Sequence, residues 1–165
     1  MNNNRYIIDC DFHTHTGFSD DCDVSVEEML KSAADQGIRT LAVTDHYDPG
    51  YPDPEFPFTI DFKKYQETML KAREEYKGTM DIMIGLEVGI MEGQFDAAHQ
   101  IINAFDYDII LGSFHCLKDK DLYTLDYTGV DGPSMLEDFY VYMHSCLKKF
   151  HNYDVIGHFS ILDRY

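Results

Sequence analysis

The sequence predicts an α/β fold built on a parallel sheet. Short apolar runs alternate along the chain with longer segments of helical periodicity, which is the pattern of repeated βα units with right-handed crossovers. No internal repeat, low-complexity tract or Gly/Ser-rich linker interrupts this alternation, so we predict that residues 1–165 form a single domain. An open doubly wound sheet and a (β/α) barrel both fit the pattern.

The predicted elements follow one another in a regular order. Strands are predicted over residues 6–12, 40–44, 81–86 and 107–112, and a fifth strand over residues 155–157. Helices are predicted over residues 25–36, 61–76 and 94–104, and from residue 134 to about residue 150. The sequence therefore contains about five βα units.

Helix boundaries are marked by capping residues. Ser25 and Glu28 have the spacing of a capping box, and Gly37 is placed to end the same helix. Ser134 and Glu137 have the same spacing and predict the start of the last helix. The second helix carries one apolar stripe, formed by Phe62, Tyr65, Met69, Ala72 and Tyr76.

Composition narrows the functional classes. The chain has 13 basic and 30 acidic residues, a formal net charge of −17, which would repel a nucleic-acid backbone. No segment reaches the roughly 18 apolar residues of a membrane span, and residues 1–5 do not start a signal peptide. We expect a soluble cytoplasmic protein with no nucleic-acid or membrane partner, whose four cysteines are reduced thiols.

Metal-binding residue types recur at the carboxyl ends of the predicted strands. Because these ends meet at one edge of a parallel sheet, residues far apart in sequence are expected to converge there. The residues concerned are His13, His15, His46, Glu87, His115 and His158. The remaining histidines, His99, His144 and His151, fall in or at the ends of predicted helices and are interpreted as structural.

These six residues predict more than one metal ion. His13 and His15 alternate along a strand, so both imidazoles can face one ion. Imidazole and carboxylate ligands suit Zn, Fe or Mn, and Glu87 can bridge two ions. Six ligands exceed the need of one zinc, so we predict two or three divalent cations. The acidic loop over residues 48–55 is interpreted mainly as a solvated surface, although Asp48, Asp53 and Glu55 could also favour a cationic substrate amine.

The ordered set of motifs resembles the PHP family, which is named for polymerases and histidinol phosphatases, and within it the stand-alone histidinol-phosphatases. The motifs are Asp11-Phe12-His13-Thr14-His15, Ser19-Asp20-Asp21, Thr44-Asp45-His46, Gly85-Leu86-Glu87, Gly112-Ser113-Phe114-His115 and Gly157-His158, the last followed by Arg164. The resemblance implies a distorted (β/α)7 TIM-like barrel, here incomplete, with a trinuclear metal centre at the carboxyl ends of its strands.

The resemblance also implies roles for individual residues. His13 and His15 would bind one metal, with Glu87 as a bridge. Asp21 and His46 would serve another, with Asp20 as the alternative to Asp21 because the register is ambiguous by one. His115 and His158 would complete the ligand set. Glu87, His115 and Arg164 would be the catalytic residues, Arg164 by holding the substrate phosphate.

The implied activity is metal-dependent hydrolysis of a phosphate monoester, L-histidinol phosphate, in histidine biosynthesis. A PHP-type phosphodiesterase or exonuclease is the enzymatic alternative. The chain departs from the family pattern at Phe159 and Ser160, and it resembles only the amino-terminal portion of a family member, without a late Asp-x-His ligand pair. A non-catalytic metal-binding fragment is therefore a third reading. An incomplete barrel is expected to be unstable unless a homo-oligomer or the missing strands cover its open edge.

Overall fold

Four α-helices, eight short strands and one 3₁₀ helix follow each other in the computed structural model, which describes residues 8–165. In chain order they are β1 Cys10–Thr14, α1 Val26–Asp35, β2 Thr40–Val43, β3 His46–Tyr47, α2 Phe62–Glu75, β4 Asp81–Gly89, α3 Phe95–Ala104, β5 Ile109–Ser113, β6 Cys116–Leu117, β7 Lys120–Asp121, α4 Gly132–Leu147, β8 Val155–Ile156 and the 3₁₀ helix Ile161–Arg164. Residues 6 and 7 of the first predicted strand, and the segment assessed as a signal peptide, lie outside the described residues.

The main sheet is parallel and has the order β1-β2-β4-β5-β8, with the two-residue strand β3 also paired to β4. It curls into part of a barrel, so the predicted incomplete (β/α) barrel is confirmed. A small antiparallel hairpin of β6 and β7 lies outside this sheet. The prediction that a homo-oligomer covers the open edge stays a prediction.

The helix signals are confirmed for α1 and wrong for α4. Ser25 and Glu28 form the predicted capping box, and Gly37 follows the helix with φ +82°, a left-handed conformation that glycine adopts readily. Helix α4, however, begins at Gly132 with Asp131 as its N-cap and Pro133 in its first turn, so the predicted box of Ser134 and Glu137 does not form. Proline is favoured there because its fixed φ suits the first turn.

The strands differ from prediction where long-range pairing decides their length. Strand β4 extends to Gly89, three residues beyond the predicted end, because residues 85–89 pair with β5. No pattern in the sequence predicts β3, or the hairpin of β6 and β7, since each of these strands has only two residues. Strand β4 thus lies at the centre of the sheet with neighbours on both sides.

The apolar stripe of α2 packs on the sheet as expected. Tyr65 and Met69 are fully buried and Ala72 nearly so, whereas Phe62 and Tyr76 are partly buried against the same core. The hydroxyl of Tyr65 lies 2.8 Å from the carbonyl oxygens of both Val43 and Gly85, so it links the helix to strands β2 and β4. This packing fixes the strands whose carboxyl ends carry the candidate site.

Two further expectations concern thiols and membranes. All four cysteines are free, and Cys116 and Cys146 are buried. Among the helices of residues 8–165, none combines the length and the apolar character that a bilayer span requires.

Candidate metal centre

Five imidazoles surround one carboxylate at the carboxyl-end edge of the sheet. Their Nε2 atoms all lie near the carboxylate oxygens of Glu87, at 2.9 Å for His13, 3.3 Å for His15, 3.5 Å for His46, 3.2 Å for His115 and 3.0 Å for His158. The structure therefore brings together all six residues that the strand-end pattern singles out. They come from five separate segments of the chain.

Glu87 is fully buried at the middle of this cluster. The sequence predicts it at the end of a strand, but it lies inside β4, opposite His46 of β3. This correction explains its central place, because the interior of the central strand is flanked by neighbours on both sides. Its Oε2 atom lies nearest His13, His15 and His46, and its Oε1 atom nearest His115 and His158.

Three overlapping groups of side chains have the spacing of metal ligands. They are His13 with His15 and Glu87, His15 with Asp21 and His46, and His46 with Glu87 and His115, and within each group the ligand atoms lie within 4.8 Å of one another. The overlap means that His15, His46 and Glu87 each belong to two groups. His158 contacts Glu87 but completes none of the three.

The two aspartates that the sequence left as alternatives take different places. Oδ2 of Asp21 lies 3.5 Å from Nε2 of His46, which puts this carboxylate in the cluster. Asp20 turns away and accepts a hydrogen bond of 2.7 Å from the backbone N–H of Phe58. The geometry thus favours Asp21 as the candidate ligand and gives Asp20 a part in holding the loop after β3.

Asp48 corrects the interpretation of the acidic loop as a solvated surface. Its side chain is buried, and its two oxygens contact the Nδ1 atoms of His46 and His115 at 3.2 and 2.8 Å. Asp53 and Glu55 of the same loop make no such contact. The missed signal is the spacing of His46 and Asp48, since alternate residues of an extended segment point the same way.

Asp45 connects the two chain segments that carry His15 and His46. It is fully buried and accepts hydrogen bonds from the backbone N–H and hydroxyl of Thr16, at 2.5 and 2.7 Å, and from the hydroxyl of Ser19 at 2.9 Å. The Ser19 hydroxyl in turn accepts a 2.8 Å hydrogen bond from the backbone N–H of His46. This network fixes the loop after β1 to the segment that carries His46.

The carboxylates of the cluster favour positive charge on the neighbouring imidazoles. Burial would raise the pKa of Glu87, but the neighbouring His115 and the histidine hydrogen bonds outweigh it and hold that pKa well below its usual range. Burial would likewise lower the pKa of His46, yet its contacts with Asp21, Asp48 and Glu87 raise it to about 9. A site whose carboxylates stabilise protonated imidazoles also attracts cations, which compete with those protons.

The donor set fits divalent cations of the zinc, iron or manganese type. Neutral imidazole is the ligating form, and burial together with the charge of His46 lowers the pKa of His15 to about 4, which keeps that ring neutral. The groups supply imidazole nitrogen and carboxylate oxygen in the mixture that these metals accept. Cys116 is a poor ligand candidate, because burial raises the pKa of its thiol to about 12.

A cavity of about 850 Å³ lies over the cluster. Arg164, at the end of the 3₁₀ helix, lines it, and its guanidinium forms no ion pair within residues 8–165. Asp53 and Asp121 line the same cavity, as do five aromatic side chains: Tyr51, Phe56, Phe58, Tyr123 and Tyr165. The cavity thus has the candidate metal ligands at its base, one exposed cation, and aromatic and acidic side chains along its wall.

An incomplete parallel barrel with histidines and carboxylates clustered at the carboxyl ends of its strands defines an α/β protein with a candidate multinuclear metal centre. Comparison with known families agrees with this class: residues 11–164 match the model of the PHP domain. The chain belongs to the PHP domain family.

Individual relatives have related names. The histidinol-phosphatase of Lactococcus lactis is 26% identical over 168 residues, and a protein of Clostridium acetobutylicum named "Probable histidinol-phosphatase" is 29% identical over 159 residues. Each alignment covers 94% of this chain and 58% of the relative, so the chain spans less than two thirds of the length of these proteins.

A solved structure shows the same fold. The crystal structure of histidinol phosphate phosphatase from Lactococcus lactis, complexed with zinc, L-histidinol and phosphate, superposes with a TM-score of 0.85 at 23% identity. The match covers 95% of this chain and 60% of that one.

Proposed function

We propose that this chain carries the metal-binding part of a phosphatase that hydrolyses a phosphate monoester, with L-histidinol phosphate as the substrate. The proposal rests on one observation: five imidazoles surround the buried carboxylate of Glu87, and Arg164 lines the same cavity. The names of the relatives support the choice of substrate. Residues 1–165 are proposed to act as one domain.

The residues have distinct roles in this proposal. His13, His15, Asp21, His46, Glu87, His115 and His158 would hold two or three divalent cations, of which zinc is the one bound in the Lactococcus lactis structure. Bound cations would supply an acidified water and neutralise charge on the phosphate oxygens. Arg164 would orient the phosphate through charge-assisted hydrogen bonds, for which the guanidinium fork is well shaped.

The cavity wall suits the rest of such a substrate. An amino alcohol that carries an imidazole is a cation with one flat ring. Asp53 and Asp121 offer negative charge to its amine, and the aromatic side chains offer faces against which its ring can stack. In this proposal the acidic loop contributes to substrate binding through Asp53. Asp48 does not, because its carboxylate contacts His46 and His115.

The test is phosphate release from L-histidinol phosphate by the full chain, loaded in turn with Zn²⁺, Mn²⁺ and Fe²⁺. We expect release that a chelator stops and that returned metal restores. Replacing the central carboxylate, Glu87→Gln, should reduce kcat/KM by at least about 10³-fold, because this group contacts every imidazole of the cluster.

The matched control is Glu137→Gln, which makes the same charge change on an exposed residue of helix α4, away from the cavity. Its turnover should stay close to that of the unmodified chain. Undiminished turnover in Glu87→Gln would contradict the proposal. Metal binding by the full chain without any phosphate release would favour the non-catalytic metal-binding fragment over the phosphatase. Cleavage of phosphodiesters alone, such as the release of mononucleotides from single-stranded DNA, would favour the phosphodiesterase alternative.

A further inference from the structure

One buried carboxylate holds two of the candidate ligands at once. Oδ1 of Asp48 lies 2.8 Å from Nδ1 of His115, and Oδ2 lies 3.2 Å from Nδ1 of His46. The residue is only 4% exposed, so these contacts form away from bulk water. The opposite ring nitrogen of each histidine, Nε2, faces Glu87.

The backbone around Asp48 is itself fixed. Strand β3 pairs with β4 through His46 opposite Glu87 and Tyr47 opposite Val88, which brings Asp48 beside Gly89. The N–H of Asp48 donates a 3.1 Å hydrogen bond to the carbonyl of Phe58. A Cβ atom added at Gly89 would lie 1.6 Å from Oδ1 of Asp48, so the missing side chain of Gly89 provides the space for this carboxylate.

We propose that Asp48 is a positioning residue that orients His46 and His115 together, so that their Nε2 atoms bind one cation with Glu87. Each Asp48 oxygen accepts from one Nδ1–H, which fixes the tautomer and the ring plane of both histidines. Asp48 itself would touch neither metal nor substrate. The inference rests on the metal-binding part of the proposed function and not on the identity of the substrate.

The effect of Asp48 should be local. Of the three ligand groups, only the one formed by His46, Glu87 and His115 has two members held by Asp48. The group of His13, His15 and Glu87 has no contact with it. Changing Asp48 should therefore lower the affinity for the cation held by His46 and His115 more than the affinity for any other cation.

The first experiment compares Zn²⁺ affinity and stoichiometry of the full chain and of Asp48→Asn by competition with a chromogenic chelator. Asparagine keeps the shape but offers only one acceptor oxygen, so one of the two Nδ1–H groups loses its partner. We expect one Zn²⁺ to bind about 10–100-fold more weakly, the usual effect of removing such a support. Glu55→Gln, the same charge change on the same loop, should bind as the unmodified chain does.

A spectroscopic measurement separates orientation from a general structural effect. In Zn²⁺-loaded protein with ¹⁵N-labelled histidine, the Nδ1 protons of His46 and His115 should exchange slowly with water because they are buried against Asp48. In Asp48→Asn, exchange at these two sites should accelerate, while the signals of His13 and His15 stay in place. Equal affinity and unchanged exchange in Asp48→Asn would overturn the inference.

A second variant, Gly89→Ala, disturbs the same contact without changing Asp48 itself. It provides the test if Asp48→Asn does not fold. Gly89→Ala keeps the carboxylate but must displace it, so Zn²⁺ affinity should again fall by about 10–100-fold. The double variant should bind no more weakly than Asp48→Asn, since both changes act on one interaction. Gly132→Ala, where an added Cβ meets no atom within 4 Å, is the control.

Failure of the Asp48 inference can be distinguished from failure of the proposed phosphatase function. An unmodified chain that binds Zn²⁺ but releases no phosphate would contradict the phosphatase proposal alone. Wild-type affinity in Gly89→Ala, or a further loss in the double variant, would contradict the role of Asp48 alone.

Discussion

Tyr65→Phe tests whether helix α2 is fastened to the sheet by one buried hydroxyl. The side chain is fully buried, and its oxygen lies 2.8 Å from the carbonyl oxygens of Val43 and Gly85, on two different strands. The hydroxyl has one proton, so the two acceptors share it. Removing it leaves two buried carbonyls with one partner fewer, while the aromatic ring still fills the same space.

The magnitude follows from these contacts. Losing a net hydrogen bond and leaving buried acceptors less well satisfied costs about 1–3 kcal/mol. For a domain of this size, each kcal/mol corresponds to a fall in Tm of roughly 2–4 °C. We expect a lower urea midpoint with an unchanged m value, because the amount of surface exposed on unfolding does not change.

The assay is urea unfolding of the full chain at one protein concentration and in the presence of chelator, so that association and metal binding do not shift the result. Tyr76→Phe is the matched control. Its ring is partly buried against the same core, but its hydroxyl makes no hydrogen bond within residues 8–165, so it should change stability by less than about 0.5 kcal/mol. Equal midpoints for the two variants would refute the reasoning.

Three further predictions concern the metal, a helix boundary and the cavity wall. Zn²⁺ at about 100 times its Kd should stabilise the chain by about 2.7 kcal/mol for each site in a thermal melt, and chelator should reverse the gain; an unchanged Tm would contradict metal binding to the folded state. Gly37→Ala should cost about 1–2 kcal/mol in urea unfolding, although an added Cβ meets nothing within 4 Å, because φ +82° is unfavourable for alanine; a neutral result would show that the turn relaxes. Arg164→Ala should lower kcat/KM for the phosphate monoester roughly 10–100-fold without changing Zn²⁺ affinity, and a loss of metal instead would assign Arg164 a different role.

Much of the fold can be predicted from the sequence, because the capping residues and the apolar periodicity indicate the same helices and strands. The capping box of Ser25 and Glu28, the left-handed Gly37 and the apolar stripe through Tyr65 and Met69 all appear where the pattern puts them. The start of α4 could not be found the same way. Ser134 and Glu137 have capping spacing, but Pro133 is better placed in the first turn and moves the helix start to Gly132.

The candidate site is predictable as far as it depends on strand ends. Histidines at equivalent positions after parallel strands predict that His13, His115 and His158 lie near one another, and the structure places all three against Glu87. The burial of Asp48 depends instead on the pairing of β3 with β4, which covers only two residues. Such a short pairing produces no periodic pattern in the sequence, so the burial of Asp48 cannot be predicted from the sequence.

The placement of Glu87 also constrains the order of events during folding. Its imidazole partners are contributed by segments that are distant along the chain, from β1 to the residues after β8, and loop closure over such separations is slow. A single strand can offer a cation at most two of these donors, whereas each three-residue ligand group draws on at least two separate segments of the chain. High-affinity metal uptake should therefore report the completed assembly of the sheet, and a stopped-flow metal indicator would follow the last step of folding and not the first.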